Sequence, residues 1–497
     1  MRAVKFLSFK LHPTRPQVNI MERPLGHFER YQLTRALVSC EPILSLVASF
    51  PPQLRISGGA VQAAIATLLA RHPLLSCVVA DPQSCQPSFH SRDVQPVEVL
   101  EEIQVEAGSA VEDALLLGIK VGSKLSLETG PLWKVTLLES TAAMARVSGV
   151  PEDVSRRLVL SVHHVIADGM GTKGMLEELV ALVCAPSPDL ASVKSVAAPS
   201  LEFTIDIRPS TTQLLSTILT ALVLPKLVPY LPPFLRPSTV PIFPGPSLVA
   251  NAYTQRTTLL FTTLPSTQIT ALKAVGKLHG VPTLHSLIHG CLVAALVLAR
   301  TLGPASSIET ASLISLRSPT LHPSATGNYV SSLHTEYHDL TPQSSFWALC
   351  RSYAARLVSP QARALARGRM GLTAYVPNGK VGERVEFLRI RRDAEDPRRD
   401  SAYLSNLGVV AMPDGVDVAW AQNACAVGGC LGMNVSLIAI PAGAQLTPGD
   451  RSVRRREGHS RCPWSTSRAP SRTRSSKSSG RPSGLSFLGS LETIWTM

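Results

Sequence analysis

The segment Leu158-Val159-Leu160-Ser161-Val162 is apolar without alternation, and His163-His164 closes it. A strand of this kind is buried on both faces, so it belongs in the middle of a sheet with a layer on either side. Val165-Ile166-Ala167 separates the histidines from Asp168-Gly169, after which Leu176, Leu179, Val180 and Val183 recur on one helical face with Met175 beside them. Strand, tight loop and helix follow one another, with an imidazole at the end of the strand. The 497 residues suggest two or three domains, and 45% apolar with 17% charged residues is globular composition with ample core.

Charge places little constraint on the body of the chain. Between Arg451 and the end, ten Lys or Arg residues face only Glu457 and Glu492, so most of the net +13 lies in the tail. With 5% aromatics, stacking platforms for single-stranded nucleic acid are not expected, nor is nucleic-acid binding in general. The nine cysteines include no Cys-x-x-Cys pair and several sit in apolar runs, so they read as buried free thiols in a reducing compartment. Lys5 and Lys10 interrupt the only N-terminal apolar stretch, which is not a signal-peptide pattern.

Periodicity and punctuation divide the rest. Ser57 caps a helix running to about His72, where Pro73 stops it, and Leu74 to Val79 and Pro131 to Leu138 read as strands. Leu214 to Leu235 is the most apolar stretch, but Pro225, Lys226, Pro229, Pro232 and Pro233 break it. A membrane span needs about 20 uninterrupted apolar residues, so a buried connector or an interface-lying segment is expected instead. The second half reads as a strand at 257–263, a helix at 266–279 stopped by Gly280, and an all-round apolar helix from Thr283. Strands then follow at 311–316 and 328–337, a helix at 346–357, and strands at 402–410 and 424–440. The expected division is an arm at 1–22, a first half at 23–205, a proline-rich linker at 206–250 and a second half at 251–450. An Arg/Ser-rich tail at 451–497 reads as disorder or out-of-frame translation.

Several chemistries are open to the histidine segment. A lone strand histidine is usually a packed core residue, and Asp168 and Gly169 suit an N-cap and a bend. His163, His164 and Asp168 are metal-ligand types, but adjacent strand residues point to opposite faces. A Gly-x-Ser-x-Gly nucleophile elbow is missing, and Gly171-Thr172-Lys173-Gly174 lacks phosphate-loop spacing. A neutral imidazole, with an ordinary pKa near 6.5, is a competent base at neutral pH.

As a string, His163-His164-Val165-Ile166-Ala167-Asp168-Gly169 matches His-His-x-x-x-Asp-Gly. It resembles the acyltransferase superfamily of chloramphenicol acetyltransferase, peptide-synthetase condensation domains, plant acyl-CoA transferases and fungal alcohol O-acetyltransferases. Arg23-Pro24-Leu25-Gly26 with Glu29-Arg30-Tyr31, Arg71-His72-Pro73-Leu74-Leu75, Pro131-Leu132-Trp133, Gly327-Asn328-Tyr329-Val330 and Ser405-Asn406-Leu407-Gly408 are similar to the fungal alcohol acetyltransferase-like branch. The likeness runs in order from about Arg23 to Ala444. The Asp-Phe-Gly-Trp-Gly motif of the plant branch is absent.

The resemblance implies an α/β fold of the α+β type: two chloramphenicol-acetyltransferase-like halves with mixed sheets flanked by helices and an active-site channel between them. It implies His164 as general base for direct acyl transfer from acetyl-CoA, or another acyl-CoA, to an alcohol. It makes Asp168 a structural partner of an arginine, for which Arg317 is the candidate. Gly169 allows the turn, His163 orients the loop, and Asn406 lines the channel, contacts the oxyanion or serves as a turn residue. No bound cofactor and no metal are implied, and the acyl-CoA is a co-substrate. A cytoplasmic monomer is expected, with peripheral contact at the endoplasmic reticulum or lipid droplets. The other readings are a condensation-type enzyme using a carrier-bound donor and a truncated, non-catalytic ligand-binding member.

Overall fold

The computed structural model describes residues 22–40, 42–105, 109–140, 156–185, 190–232, 242–243, 257–300, 307–322, 324–392, 400–423 and 434–440. The expected arm before Glu22, the tail after 450 and most of the strand expected at 424–440 lie outside them.

The first half runs β1 (Glu22–Pro24), α1 (His27–Leu37), β2 (Ile43–Phe50), α2 (Gly58–Arg71), β3 (Cys77–Ala80), β4 (Ser88–Ser91), β5 (Leu100–Val105), α3 (Val111–Gly122), β6 (Trp133–Ser140), β7 (Arg156–His163) and α4 (Gly169–Cys184). The unalternating run at 158–162 lies in β7, the middle strand of a five-stranded sheet in which β5, β6, β7 and β2 are followed by a later strand, β11 (Asp417–Gln422). Its two faces feed separate layers. Leu158, Leu160 and Val162 pack with α2 and α4 through Leu68, Leu176 and Leu179, while Val159 joins Ala114 and Leu115 of α3 on the other side. Ser57 caps α2 by accepting from the Ala60 N–H at 3.2 Å. Pro73 ends that helix in a 3-10 turn over Pro73–Ser76, so the strand expected from Leu74 begins only at Cys77. At the same junction, buried His72 lies 2.8 Å from Glu178 and ties α2 to α4.

The second half continues with α5 (Ser266–Leu278), α6 (Leu284–Arg300), β8 (Ile308–Ser315), β9 (Val330–Tyr337), α7 (Phe346–Val358), α8 (Pro360–Leu372), α9 (Glu383–Arg392), β10 (Ala402–Val409), β11 (Asp417–Gln422) and β12 (Asn434–Ala439). Its own sheet is ordered β12-β10-β8-β9, with β8 and β9 antiparallel and the other pairs parallel. Strand β11 leaves it and pairs antiparallel with β2, from Asp417 opposite Ser49 to Gln422 opposite Leu44. The second half therefore completes the edge of the first-half sheet, which hides the backbone groups β2 would otherwise present.

Four expectations change. Residues 257–263 form no strand and are exposed apart from Thr257 and Leu259, so a run of Thr, Leu and Phe alone did not make a sheet there. Helix α6 is not buried all round, since Cys291, Ala295 and Leu298 face outward. Cys184 and Cys291 are exposed, whereas Cys40, Cys77 and Cys350 are buried. The apolar stretch after 214 is no buried connector: it is helical over Thr211–Ile218 and beyond, with Leu215, Leu219, Leu227 and Tyr230 exposed. No described helix is long and apolar enough to cross a membrane.

Candidate active site

Strand β7 delivers both histidines to the seam between the halves. The His163 N–H donates to Leu132 O at 2.9 Å and the His164 N–H to Pro42 O at 2.8 Å, which ends the strand on the residues just before β6 and β2. The loop then crosses to the second half. Ala167 and Gly327 form an isolated parallel bridge, in which the Asp168 N–H donates to Gly327 O at 3.0 Å and the Gly327 N–H to Ile166 O at 2.7 Å. Gly327 holds φ at 109°, and a Cβ there would lie 3.0 Å from the Tyr329 ring, so only glycine suits the position.

Asp168 is 1% exposed and is the knot of the crossing. Its Oδ1 accepts from the Gly171 N–H at 2.7 Å and from Arg317 Nη2 at 3.0 Å, and its Oδ2 accepts from the Tyr329 N–H at 2.8 Å. It is thus both the N-cap of α4 and the acidic partner of Arg317. Arg317 also donates through Nη1 to Ala325 O at 2.8 Å and lies over the Tyr329 ring at 5.0 Å. Gly169 has no left-handed φ and is the first residue of α4, so its value is space rather than conformational freedom. A Cβ there would come within 2.8 Å of Leu407 in β10.

The two imidazoles differ. His163, 2% exposed, accepts through Nδ1 from the Val165 N–H at 3.1 Å, and its Nε2 is buried without a partner. His164, 6% exposed, places Nδ1 2.9 Å from Asn328 Oδ1. Asn328 Nδ2 donates to the backbone carbonyls of His164 at 2.8 Å and Val165 at 3.0 Å. Carbonyl oxygens only accept, so the amide NH2 must face them and Oδ1 must face the ring. His164 Nδ1 therefore carries the proton and Nε2 the lone pair, with no hydrogen bond on Nε2 among the described residues. Phe28 of α1 meets the ring edge-on, with centroids 6.2 Å apart. Its neighbour His27 lines a cleft of about 540 Å³ between residues 202–209 and 371–375.

Burial, reinforced by the Arg35 guanidinium, lowers His164 to about 4. Burial also lowers His163, to about 3, with the neighbouring His164 and Arg35 adding to the effect. Both rings are neutral at pH 7. Only the neutral form can accept a proton, so a reaction in which His164 acts as base is lost as pH falls, and the acid limb of its kcat/KM reports the free protein. The expected profile is flat from pH 8 to about 5, with a midpoint near 4. An acid limb centred at 6.5 or above contradicts the assignment.

Asn406 stands apart from these contacts. It lies within β10, 3.3 Å from His285 Nδ1, and accepts from the Gly408 N–H at 2.8 Å where the register of β10 shifts, while its neighbour Leu407 meets α4. The residue that sequence reasoning missed is Asn328. It stood inside Gly327-Asn328-Tyr329-Val330, a string noted only as family-like, and nothing in one sequence links it to a histidine 164 positions away. Asn328→Ala releases the tautomer and leaves two buried carbonyls unpaired. It should lower kcat up to about tenfold, the worth of one hydrogen bond, with KM little changed. An unchanged kcat argues against the positioning role.

No family model matches the chain, and no curated protein matches it in sequence. Among solved structures it is similar to a trichothecene 15-O-acetyltransferase from Fusarium sporotrichioides, with a TM-score of 0.54 and 13% identity over 84% of this chain and 88% of that one. It is also similar to polyketide synthase associated protein 5 from Mycobacterium tuberculosis, with a TM-score of 0.50 and 14% identity over 84% and 90%. At these identities the likeness is one of fold, and it spans both halves: the chain shares its two-half α/β fold with these two proteins.

Proposed function

We propose that the protein is an O-acyltransferase that moves an acyl group, most simply acetyl, from coenzyme A to an alcohol. The observation that carries this reading is the fixed His164 tautomer: a neutral imidazole whose Nδ1 is engaged by Asn328 and whose Nε2 lone pair has no hydrogen bond among the described residues. Nε2 takes the hydroxyl proton as the alcohol oxygen attacks the thioester carbonyl. The tetrahedral intermediate then expels the thiolate, which recovers that proton from the imidazolium. No acyl-enzyme is needed, and alignment of the two substrates across the seam supplies much of the remaining acceleration. The fold shared with a protein named as a 15-O-acetyltransferase supports a hydroxyl acceptor.

A carrier-bound donor is the second reading, supported by the similarity to a polyketide synthase associated protein. Ester formation from acetyl-CoA with a panel of primary and secondary alcohols tests the first reading. An acyl-loaded carrier protein added in competition separates the two. Carrier-dependent transfer with no turnover of free acetyl-CoA would replace the first reading by the second.

A further inference from the structure

The sheet of the second half carries a cluster that the acyl-transfer chemistry does not use. Glu309 of β8, His334 of β9 and Asp400, two residues before β10, each offer a ligand atom, and these atoms lie within 4.8 Å of one another. The strand register explains the convergence. Ala311 is opposite His334, and Glu309, two residues earlier, shares that face, so the long Glu309 side chain reaches the imidazole diagonally. The Ser401 N–H donates to Glu309 O, which brings the adjacent Asp400 to the same place.

The contacts do not satisfy the acids. His334 Nδ1 is 3.1 Å from Glu309 Oε1 and 2.7 Å from Asp400 Oδ1, but only the first contact has hydrogen-bond geometry. Asp400 has a side chain 0% exposed, and neither of its oxygens has a hydrogen-bond partner. Among the described residues no Lys or Arg pairs with either carboxylate. An imidazolium could balance only one of the two acids, and an unbalanced buried charge is strongly unfavourable. Separations of 2.7 and 3.1 Å are instead close to the octahedral edge of about 3.0 Å that follows from metal–ligand bonds of about 2.1 Å, and shorter than the tetrahedral edge of about 3.4 Å. His334 Nε2 lies 2.8 Å from Ser332 Oγ, so its N–H has an acceptor when Nδ1 is used as a ligand.

We propose that Glu309, His334 and Asp400 bind one divalent ion of the Zn²⁺ or Mn²⁺ class, which pins the start of β10 to β8 and β9. One imidazole and two carboxylates suit such an ion, and the side chain of Glu309, 14% exposed, leaves an entry side. The test uses full-length protein stripped with chelator and titrated with Co²⁺, Zn²⁺ and Mn²⁺, followed by metal analysis, visible absorption of the Co²⁺ form and thermal unfolding. One ion per chain and a higher Tm with Zn²⁺ or Mn²⁺ are expected. Asp400→Asn and Glu309→Gln should each weaken binding at least about 100-fold. No uptake by the wild type at 100-fold metal excess, or uptake equal in the wild type and both variants, overturns the proposal.

Discussion

Asp168→Ala loses about 3–5 kcal/mol of stability, the usual cost of removing one partner of a buried ion pair. The carboxylate accepts from the Gly171 N–H, the Tyr329 N–H and the Arg317 guanidinium, and its removal leaves all three donors facing a gap. Arg317, whose side chain is 13% exposed, then keeps a nearly buried charge with Ala325 O as the one remaining polar partner of its guanidinium among the described residues. The loss falls at the bridge between Ala167 and Gly327, where the two halves are joined, so the urea midpoint of the whole chain should move. Removing Arg317 as well takes away the orphaned charge. The double variant Asp168→Ala/Arg317→Ala should therefore be less destabilised than the sum of the single changes. Strict additivity, or an Asp168→Ala midpoint equal to that of the wild type, contradicts the account of this knot.

His164→Ala lowers kcat/KM by about 10²- to 10⁴-fold, the range of general-base assistance. The change removes the only nitrogen lone pair at the end of β7 that no hydrogen bond uses in the described structure. His163 does not replace it: its Nδ1 accepts from the Val165 N–H and its ring is pushed further down by burial. The variant also leaves Asn328 Oδ1 without its ring partner, at a cost of about 1–3 kcal/mol. The fold should survive, because the backbone hydrogen bonds of His164 to Pro42 and Asn328 remain.

The sequence carried more of the first half than of the second. The run at 158–162 showed a doubly covered central strand because its residues are apolar on both faces, Ser161 excepted, and β7 is that strand. Helix α2 was legible from Ser57 and Pro73, which act locally. The insertion of β11 into the first-half sheet was not, since Asp417 to Gln422 has no local signal naming β2 as its partner. At the site, Asp168 and Arg317 were named together on resemblance and meet at 3.0 Å. The Asn328 contact arises only because the bridge at Gly327 lays one half against the other. Gly169 was read as a bend, but only the nearness of Leu407 shows that it is a clearance.

The most direct measurement is thiol release from acetyl-CoA, with and without an acceptor alcohol, by the wild type and by His164→Ala matched for folded fraction by circular dichroism. The expected result is alcohol-dependent thiol release with an equimolar ester from the wild type, and a rate about 10²- to 10⁴-fold lower in the variant. Equal rates in the two proteins would contradict the assignment of His164 as the base.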